Sequence, residues 1–381
     1  MKNNPFAERL GLFVQYLRRQ RIDGAAVFSE ANIKALTGIE CDNACLFVMP
    51  SLGGEGKDEA VFFTDFRYVP MVHRLAPWIR VCDIKALNGK TPLRFGERVF
   101  RRVGFESSIP QAKYVLLAKV FPGIALSSSA RFYMAENPRS NLAPGAEFVD
   151  ISVGIAKLRA VKTPAELDRV RAAAALNDDI WSEARNRFRP GMTEREMARI
   201  IKHLMIEKGD GEAFATIVSV GKNSAECHHV PDDTVWSGRE PVLVDMGVKF
   251  DGYCSDMTRN IVPEHPSRIY RKIYSLVMEA NRRAIAAVKP GMRASDLDQV
   301  ARRYLTKAGF GKNFGHSLGH GVGIEIHEAP VVGKRSQCVL EKGMVVTIEP
   351  GLYLEGVLGV RIEDLVIVGD KGAEVISNSA K

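Results

Sequence analysis

Long hydrophobic runs are missing from this sequence. Its most apolar stretches, such as residues 114–120 with Lys119 inside, are too short and too interrupted to cross a bilayer, so membrane insertion is excluded. Cysteine is scarce: Cys41, Cys45, Cys82, Cys227, Cys254 and Cys338 lie scattered over 381 residues, which makes neither a disulfide framework nor a zinc-finger spacing. The opening Met-Lys-Asn-Asn-Pro carries no apolar signal core, and a reducing cytoplasm is the expected location. The net charge of +8 is spread along the chain rather than gathered in a basic block, and no RNA-binding aromatic module accompanies it. The basicity therefore permits weak contact with a polyanion but specifies no nucleic-acid partner. The loop Gly53-Gly54-Glu55-Gly56 lacks the Gly-Lys-Ser/Thr that would cradle a phosphate, which argues against nucleotide binding.

What is present is ordinary globular material. Hydrophobic residues make up 46% and charged residues 26%, with a mean hydropathy of −0.09, and the length favours two domains. Residues 1–154 read as an α/β domain. A helical start at 5–21 precedes strand candidates at 24–28, 44–49, 60–63, 79–84 and 113–117, a pattern that packs as a mixed sheet flanked by helices. The polar, Pro-containing segment 137–146 then gives way to a strong helix start. Thr163 is its cap, Pro164 its first residue and Glu166 the reciprocal partner, so a second domain is expected over 155–381.

That second domain contains an internal repeat. Phe188-Arg-Pro-Gly-Met192 and Val288-Lys-Pro-Gly-Met292 stand 100 residues apart, and each precedes a helical run that ends at a glycine, Gly209 or Gly309. Thr193 with Glu196 and Ser295 with Asp296 offer helix-start chemistry at slightly shifted positions. Two related halves can face one another across a cleft, with a site at their junction.

Polar residues gather around the strands of both halves. An apolar run ends at Asp245-Met-Gly247, and Ser255-Asp256 follows eleven residues after the first aspartate. On one unbroken strand this odd separation would send the two carboxylates to opposite faces, but Gly247 and Asp251-Gly252 signal a turn between paired strands, across which they converge. The second half brings Gly319-His320-Gly321, then an apolar run ending at Glu349-Pro350-Gly351, then Arg361-Ile-Glu363-Asp364. Four carboxylates brought together would repel one another unless cations join them. With His320 they form a donor set rich in oxygen, suited to Mn²⁺, Fe²⁺ or Co²⁺ rather than to a closed structural zinc site, and a pair of such ions suits hydrolysis.

In their Asp-x-Gly, Ser-Asp-x-Thr-Arg, Gly-His-Gly, Glu-Pro-Gly and Arg-x-Glu-Asp contexts, Asp245, Asp256, His320, Glu349 and Glu363 resemble the metal set of the Xaa-Pro peptidase family, which includes aminopeptidase P and prolidase. Each motif is weak alone; all five in order are specific. The resemblance covers residues 155–381, and the first domain has the size and pattern of the creatinase-like domain of two-domain members. It implies an α/β (α+β) chain: a pita-bread catalytic domain with duplicated halves, preceded by a creatinase-like N-terminal α/β domain. It further implies two divalent ions, Mn²⁺ foremost with Co²⁺, Fe²⁺ or Zn²⁺ as alternatives. Asp256 and Glu363 would bridge them, Asp245 would hold the first, and His320 and Glu349 the second, with Glu349 also shuttling a proton.

The resemblance also assigns supporting roles. His228 matches a histidine near the scissile bond, His316 and His327 match those that border the substrate and steady the tetrahedral intermediate, and Arg361 matches an arginine beside the last metal carboxylate. Arg361 is equally readable as a salt-bridge partner for a buried acid. His229 is expected to line the cavity or face solvent, and Cys227 and Cys254 to be wall or core residues. Phe66-Arg67-Tyr68 resembles a family segment; Arg67 can bind a carboxylate, although a structural ion pair is the favoured reading.

The implied activity is metal-dependent hydrolysis of Xaa-Pro bonds with release of the N-terminal residue, of aminopeptidase P or prolidase type. Small peptides with proline second are the expected substrates and a homodimer the expected assembly. A hydrolase of a non-peptide amide on the same fold, or a noncatalytic creatinase-fold binding protein, are the alternatives, and the intact donor set argues against the second.

Overall fold

The computed structural model describes residues 5–51, 57–88, 100–120, 124–125 and 146–381, so the loop at 53–56 and most of the segment 137–146 lie outside the described residues. The chain forms two compact units, Met1–Arg159 and Ala160–Lys381.

Among the described residues the first unit is built on seven strands: β1 (Gly24–Val27), β2 (Ala44–Met49), β3 (Glu59–Thr64), β4 (Arg80–Asp83), β5 (Arg102–Phe105), β6 (Ile124–Ala125) and β7 (Ala146–Asp150). Their order is β4-β3-β2-β1-β5-β7-β6, antiparallel for β1–β2 and β2–β3 and parallel elsewhere, which is the mixed sheet expected. β1 and β2 are buried along their whole length, so they read as continuous apolar runs rather than alternating ones. One expected strand is wrong. Residues 113–117 belong to a helix, Gln111–Val120, that follows Pro110, while the strand beside β1 is Arg102–Phe105. A short apolar run has no periodicity that separates a strand from one face of a helix, and here length decides for the helix.

In the second unit the helix Pro164–Arg187 opens on the expected capping box, with Thr163 N donating to Glu166 Oε2 at 2.7 Å and Glu166 N to Thr163 Oγ1 at 3.4 Å. Helix Glu194–Lys208 opens on a second such box at Thr193 and Glu196. Strands Ile217–Val220, Val242–Met246 and Met257–Ile261 complete the first half as an antiparallel sheet with Val242–Met246 in the middle. The second half repeats the plan with helices Arg268–Ala287 and Ala294–Lys307 and a five-stranded antiparallel sheet. Its second helix departs from expectation: Arg293 occupies the cap without a side-chain bond, and Ser295 and Asp296 fall inside the first turn.

The duplication is visible in the backbone. Gly191 N donates to Trp236 O and Trp236 N to Met192 O, both at 2.8 Å; Gly291 N donates to Leu340 O and Leu340 N to Met292 O, again at 2.8 Å. Gly191 and Gly291 hold φ of 97° and 84°, which only glycine adopts readily, so each Pro-Gly-Met marks the same turn. In both halves the chain that returns from the cleft is thus bridged to the start of the second helix.

Candidate metal centre

Each acidic residue of the expected set sits where an apolar strand begins, ends or breaks. Asp245 is the penultimate residue of Val242–Met246, in register with Thr258, and Asp256 immediately precedes the partner strand. Between them the hairpin Val248–Phe250 and Tyr253–Cys254 turns at Asp251 and Gly252, with φ of 46° and 72°. Gly247 permits the return, because a Cβ there would meet Ser255 O at 2.2 Å. Glu349 follows strand Val345–Ile348, Glu363 lies in the break between Leu358–Arg361 and Asp364–Val368, and His320 is central in Gly319–Gly321.

These side chains meet. His320 Nε2 stands 3.3 Å from Glu349 Oε1 and 3.5 Å from Asp256 Oδ2, while its Nδ1 meets Gly321 O at 3.1 Å, so Nε2 is the nitrogen that could take a metal. Asp256, His320 and Glu363 each offer a ligand atom within 4.8 Å of the others. Thr258 Oγ1 donates to Glu363 Oε2 at 2.6 Å and Thr347 Oγ1 to Glu349 Oε1 at 3.0 Å, so hydroxyls from neighbouring strands aim the carboxylates.

The electrostatics call for cations. Burial, then the facing Glu363, Asp245 and Glu349, push the Asp256 carboxyl well above the ordinary range, against an opposing pull from Arg361. Burial and the same neighbours raise Glu363, and burial raises Glu349 to about 8. Asp245 Oδ1 is buried and meets no donor among the described residues. A buried oxygen without a partner, among carboxylates that can ionise together only at high cost, is the environment a divalent ion satisfies, and the donor set fits.

Arg361, 2% exposed, is the cation the protein itself supplies. It donates from Nη2 to Asp245 Oδ2 at 2.6 Å, from Nε to Thr258 Oγ1 at 2.9 Å and from Nη1 to Tyr353 OH at 2.8 Å. Tyr353 OH in turn meets His316 Nε2 at 3.0 Å, and His316 Nδ1 meets Ser317 O at 2.7 Å. Burial first, with Arg361 adding, lowers the His316 imidazole to about 4. His327 packs its ring edge-on to His320, with centroids 4.2 Å apart.

All nine expected site residues line one cavity of about 570 Å³: His228, Asp245, Asp256, His316, His320, His327, Glu349, Arg361 and Glu363. Apolar groups such as Phe214, Ile217, Val230, Pro231, Ile326 and Val331 complete its wall. Cys227 lines it too, whereas Cys254 is buried. In the first unit Arg67 is engaged in a two-pronged ion pair with Asp65, at 2.8 and 2.7 Å.

Tyr353 escaped the sequence reading, although it lies two residues past Gly351 on the strand that leaves Glu349; nothing local marks it as the link between Arg361 and His316. His229 lines the cavity, yet its ring is 8% exposed and meets Glu194 Oε2 at 2.7 Å. Glu194, His229 and Asp232 are a second group with the spacing for a metal ion. There, however, both Glu194 oxygens already accept protein donors.

Residues 168–370 match the model of metallopeptidase family M24, and residues 9–133 match that of the creatinase/prolidase N-terminal domain. The chain belongs to metallopeptidase family M24. It is 31% identical over 366 residues to an uncharacterized peptidase of Bacillus subtilis, covering 94% of this chain and 95% of that one. It is 36% identical over 285 residues to the Xaa-Pro dipeptidase of Pyrococcus furiosus, covering 72% of this chain and 81% of that one. Among solved structures, an Xaa-Pro dipeptidase from Bacillus anthracis superposes with a TM-score of 0.83 at 30% identity over 99% of this chain and 98% of that one. An X-Pro aminopeptidase from Thermotoga maritima superposes with 0.77 at 27% identity over 95% and 98%. The M24 chain is thus an α/β metallopeptidase with a creatinase-like N-terminal domain and a pita-bread catalytic domain. Among its described residues no helix is long and apolar enough to cross a membrane.

Proposed function

We propose that this M24 metallopeptidase hydrolyses Xaa-Pro bonds in small peptides, releasing the N-terminal residue, with two divalent ions held by Asp245, Asp256, His320, Glu349 and Glu363. The observation that carries the metal assignment is the partnerless, buried Asp245 Oδ1 beside three carboxyls raised by burial and mutual repulsion. The Xaa-Pro assignment rests on the relatives named above, and the apolar wall formed by Phe214, Ile217, Val230 and Pro231 is of a kind that receives a proline ring. When bound, the ions would lower the pKa of water and draw charge from the scissile carbonyl.

The chain's own groups account for the proton and for orientation. Glu349 takes a proton from the attacking water and returns it to the proline nitrogen as the new C–O bond replaces the C–N bond. His228 and His327 line the cavity with no hydrogen bond to their rings among the described residues, so they are available to donate to the carbonyl oxygen as negative charge develops. His316 is a poorer donor than the resemblance implies: with Nδ1 on Ser317 O and Nε2 on Tyr353 OH, its nitrogens are already engaged. It steadies Arg361 through Tyr353, and Arg361 fixes Asp245.

Oxygen-rich donors support Mn²⁺ as the ion in use, and Co²⁺, Fe²⁺ or Zn²⁺ would bind the same set. Six free thiols support a reducing cytoplasm, and a homodimer is the assembly we propose. The deciding assay is Mn²⁺-dependent release of the first residue from Xaa-Pro dipeptides and longer Xaa-Pro peptides, with Glu349→Ala as background. Cleavage of dipeptides alone identifies a prolidase, cleavage of longer peptides an aminopeptidase P, and cleavage of neither by metal-loaded protein overturns the assignment.

A further inference from the structure

His228 and His327 come from opposite halves of the duplicated unit, and the residue after each enters a buried charge pair. After His228 comes His229. Its Nε2 meets Glu194 Oε2 at 2.7 Å and its Nδ1 meets Glu226 Oε2 at 3.3 Å, with side-chain exposures of 8% for His229 and 0% for Glu194. After His327 comes Glu328. Its Oε1 accepts from Lys162 Nζ at 2.8 Å, with exposures of 6% and 1%.

The anchors are tied to the backbone around them. Glu194 is the first residue of helix Glu194–Lys208, so its carboxylate sits at the positive end of the helix dipole. Its Oε1 accepts from Val220 N at 2.6 Å and Asn223 Nδ2 at 3.0 Å, and its Oε2 accepts also from Asp232 N at 3.1 Å. One carboxylate thereby ties the end of a strand, the turn after it, the middle of the segment 227–231, all five residues of which line the cavity, and the residue that follows that segment. Lys162 is pinned by its backbone, whose N donates to Gly343 O at 3.0 Å, next to the bridge between Val161 and Met344. The Glu328 carboxylate lies over Gly323, where a Cβ would come within 2.4 Å of it.

Neither pair touches the reacting groups, and a metal ion is not needed to explain the first. Every Glu194 oxygen already accepts two N–H groups, and Asp232 Oδ1 accepts from Thr234 N at 2.7 Å. Burial alone would lower the His229 imidazole, but the Glu194 hydrogen bond and the charges of Glu194 and Asp232, with Glu226 at Nδ1, raise it on balance. We propose that Glu194–His229 and Lys162–Glu328 are positioning pairs, which set His228 and His327 at the scissile carbonyl by fixing the residue that follows each. A buried pair in a dry site is stiff because separating its charges is costly, so it holds a loop in one geometry where surface contacts would allow several.

This inference rests on the proposed peptidase reaction for its kinetic arm only. In Mn²⁺-loaded full-length protein, Glu194→Gln, His229→Gln and Glu328→Gln are expected to lower kcat on an Xaa-Pro dipeptide about tenfold or more with KM changed less than threefold. The decisive comparison is with the cavity histidines removed. In a His228→Ala background His229→Gln costs nothing further, and in a His327→Ala background Glu328→Gln costs nothing further, because each pair acts through its own histidine. Additive losses would overturn the proposal, and so would loss of one equivalent of bound Mn²⁺ in Glu194→Gln, which would make that cluster a metal site. Hydrogen exchange supplies a reading without any substrate. His229→Gln should raise exchange within 226–232 and Glu328→Gln within 324–330, leaving the helices unchanged; unaltered exchange in those segments refutes the proposal even where no Xaa-Pro bond is cut. If a glutamine variant does not fold, Glu194→Asp and Glu328→Asp, which keep the charge, take its place and should retain partial kcat.

Discussion

Arg361 donates to Asp245 Oδ2 at 2.6 Å, while the buried Asp245 Oδ1 has no donor among the described residues. One oxygen of the carboxylate is satisfied by the protein and the other is left for something the protein does not contain. The same division runs through the site: hydroxyls and one guanidinium orient the carboxylates, and in the proposed centre the balance of charge would come from outside the chain.

Metal binding should therefore register as stability. At a free Mn²⁺ concentration a hundred times its dissociation constant the folded state gains about 2.7 kcal/mol, which for a domain of this size raises the melting temperature by about 5 °C or more over chelator-treated protein. Asp245→Asn should abolish most of that rise, and a variant that keeps it would remove Asp245 from the donor set. Differential scanning fluorimetry with and without chelator makes the comparison.

Glu349→Gln separates chemistry from folding. Its kcat should fall by about 10²–10⁴, the ordinary cost of losing a positioned acid/base group. In chelator, by contrast, the variant should be at least as stable as the parent, since the amide carries no charge to be repelled by Asp245 and Glu363 and burial already disfavours the carboxylate. A destabilised variant in chelator would show that repulsion does not govern this group.

The pH dependence of stability should carry a signature of His316. With its imidazole lowered to about 4 by burial and Arg361, the unfolded chain, where histidine titrates near its ordinary value of about 6.5, takes up a proton that the folded chain refuses. Stability is thus complete above that unfolded value and is lost progressively as pH falls toward the folded one, a loss on the order of 2–3 kcal/mol by about pH 4.5. Burial lowers His320 to about 4 as well, so urea unfolding in chelator at pH 7 and 4.5 should show a loss in His316→Asn that is smaller than the parent's by this amount; equal losses would contradict the assignment.

Gly319→Ala should damage the fold beside His320. A Cβ there would lie 2.0 Å from Thr347 O and 2.7 Å from Thr347 Oγ1, and backbone cannot yield as a flexible side chain does. Overpacking of this kind costs about 1–3 kcal/mol or more. His320 N donates to Thr347 Oγ1 at 3.0 Å, so metal affinity should fall together with the melting temperature. Wild-type metal titration by calorimetry in a destabilised variant would show that the two are not linked here.

The parts that were legible in the sequence are those written in local chemistry. Thr163-Pro164 with Glu166 spells a cap, Pro-Gly-Met at 190–192 and 290–292 spells the same turn twice, and apolar runs stopping at Asp245, Glu349 and Glu363 spell strand ends that deliver a carboxylate. The parts that were not legible depend on partners far away in the chain. Tyr353 owes its place to Arg361 and His316, and Glu194 meets His229 across 35 residues, with no spacing or composition to announce either. The segment 113–117 has the opposite difficulty: its local signal is real but compatible with two structures, and it is the ten-residue length of Gln111–Val120 that marks the helix.

The two halves that share the Pro-Gly-Met turn also divide the donor set between them. Asp245 and Asp256 belong to the first, and His320, Glu349 and Glu363 to the second, with Arg259 reaching from the first half to Asp364 in the second at 2.9 Å. The proposed five-residue set is complete only when the two halves are together. If the chain were severed in the segment 262–266, the fragments and the metal would be partners in one association equilibrium, in which the ion acts as the adhesive and its affinity measures how well two separated pieces find each other again.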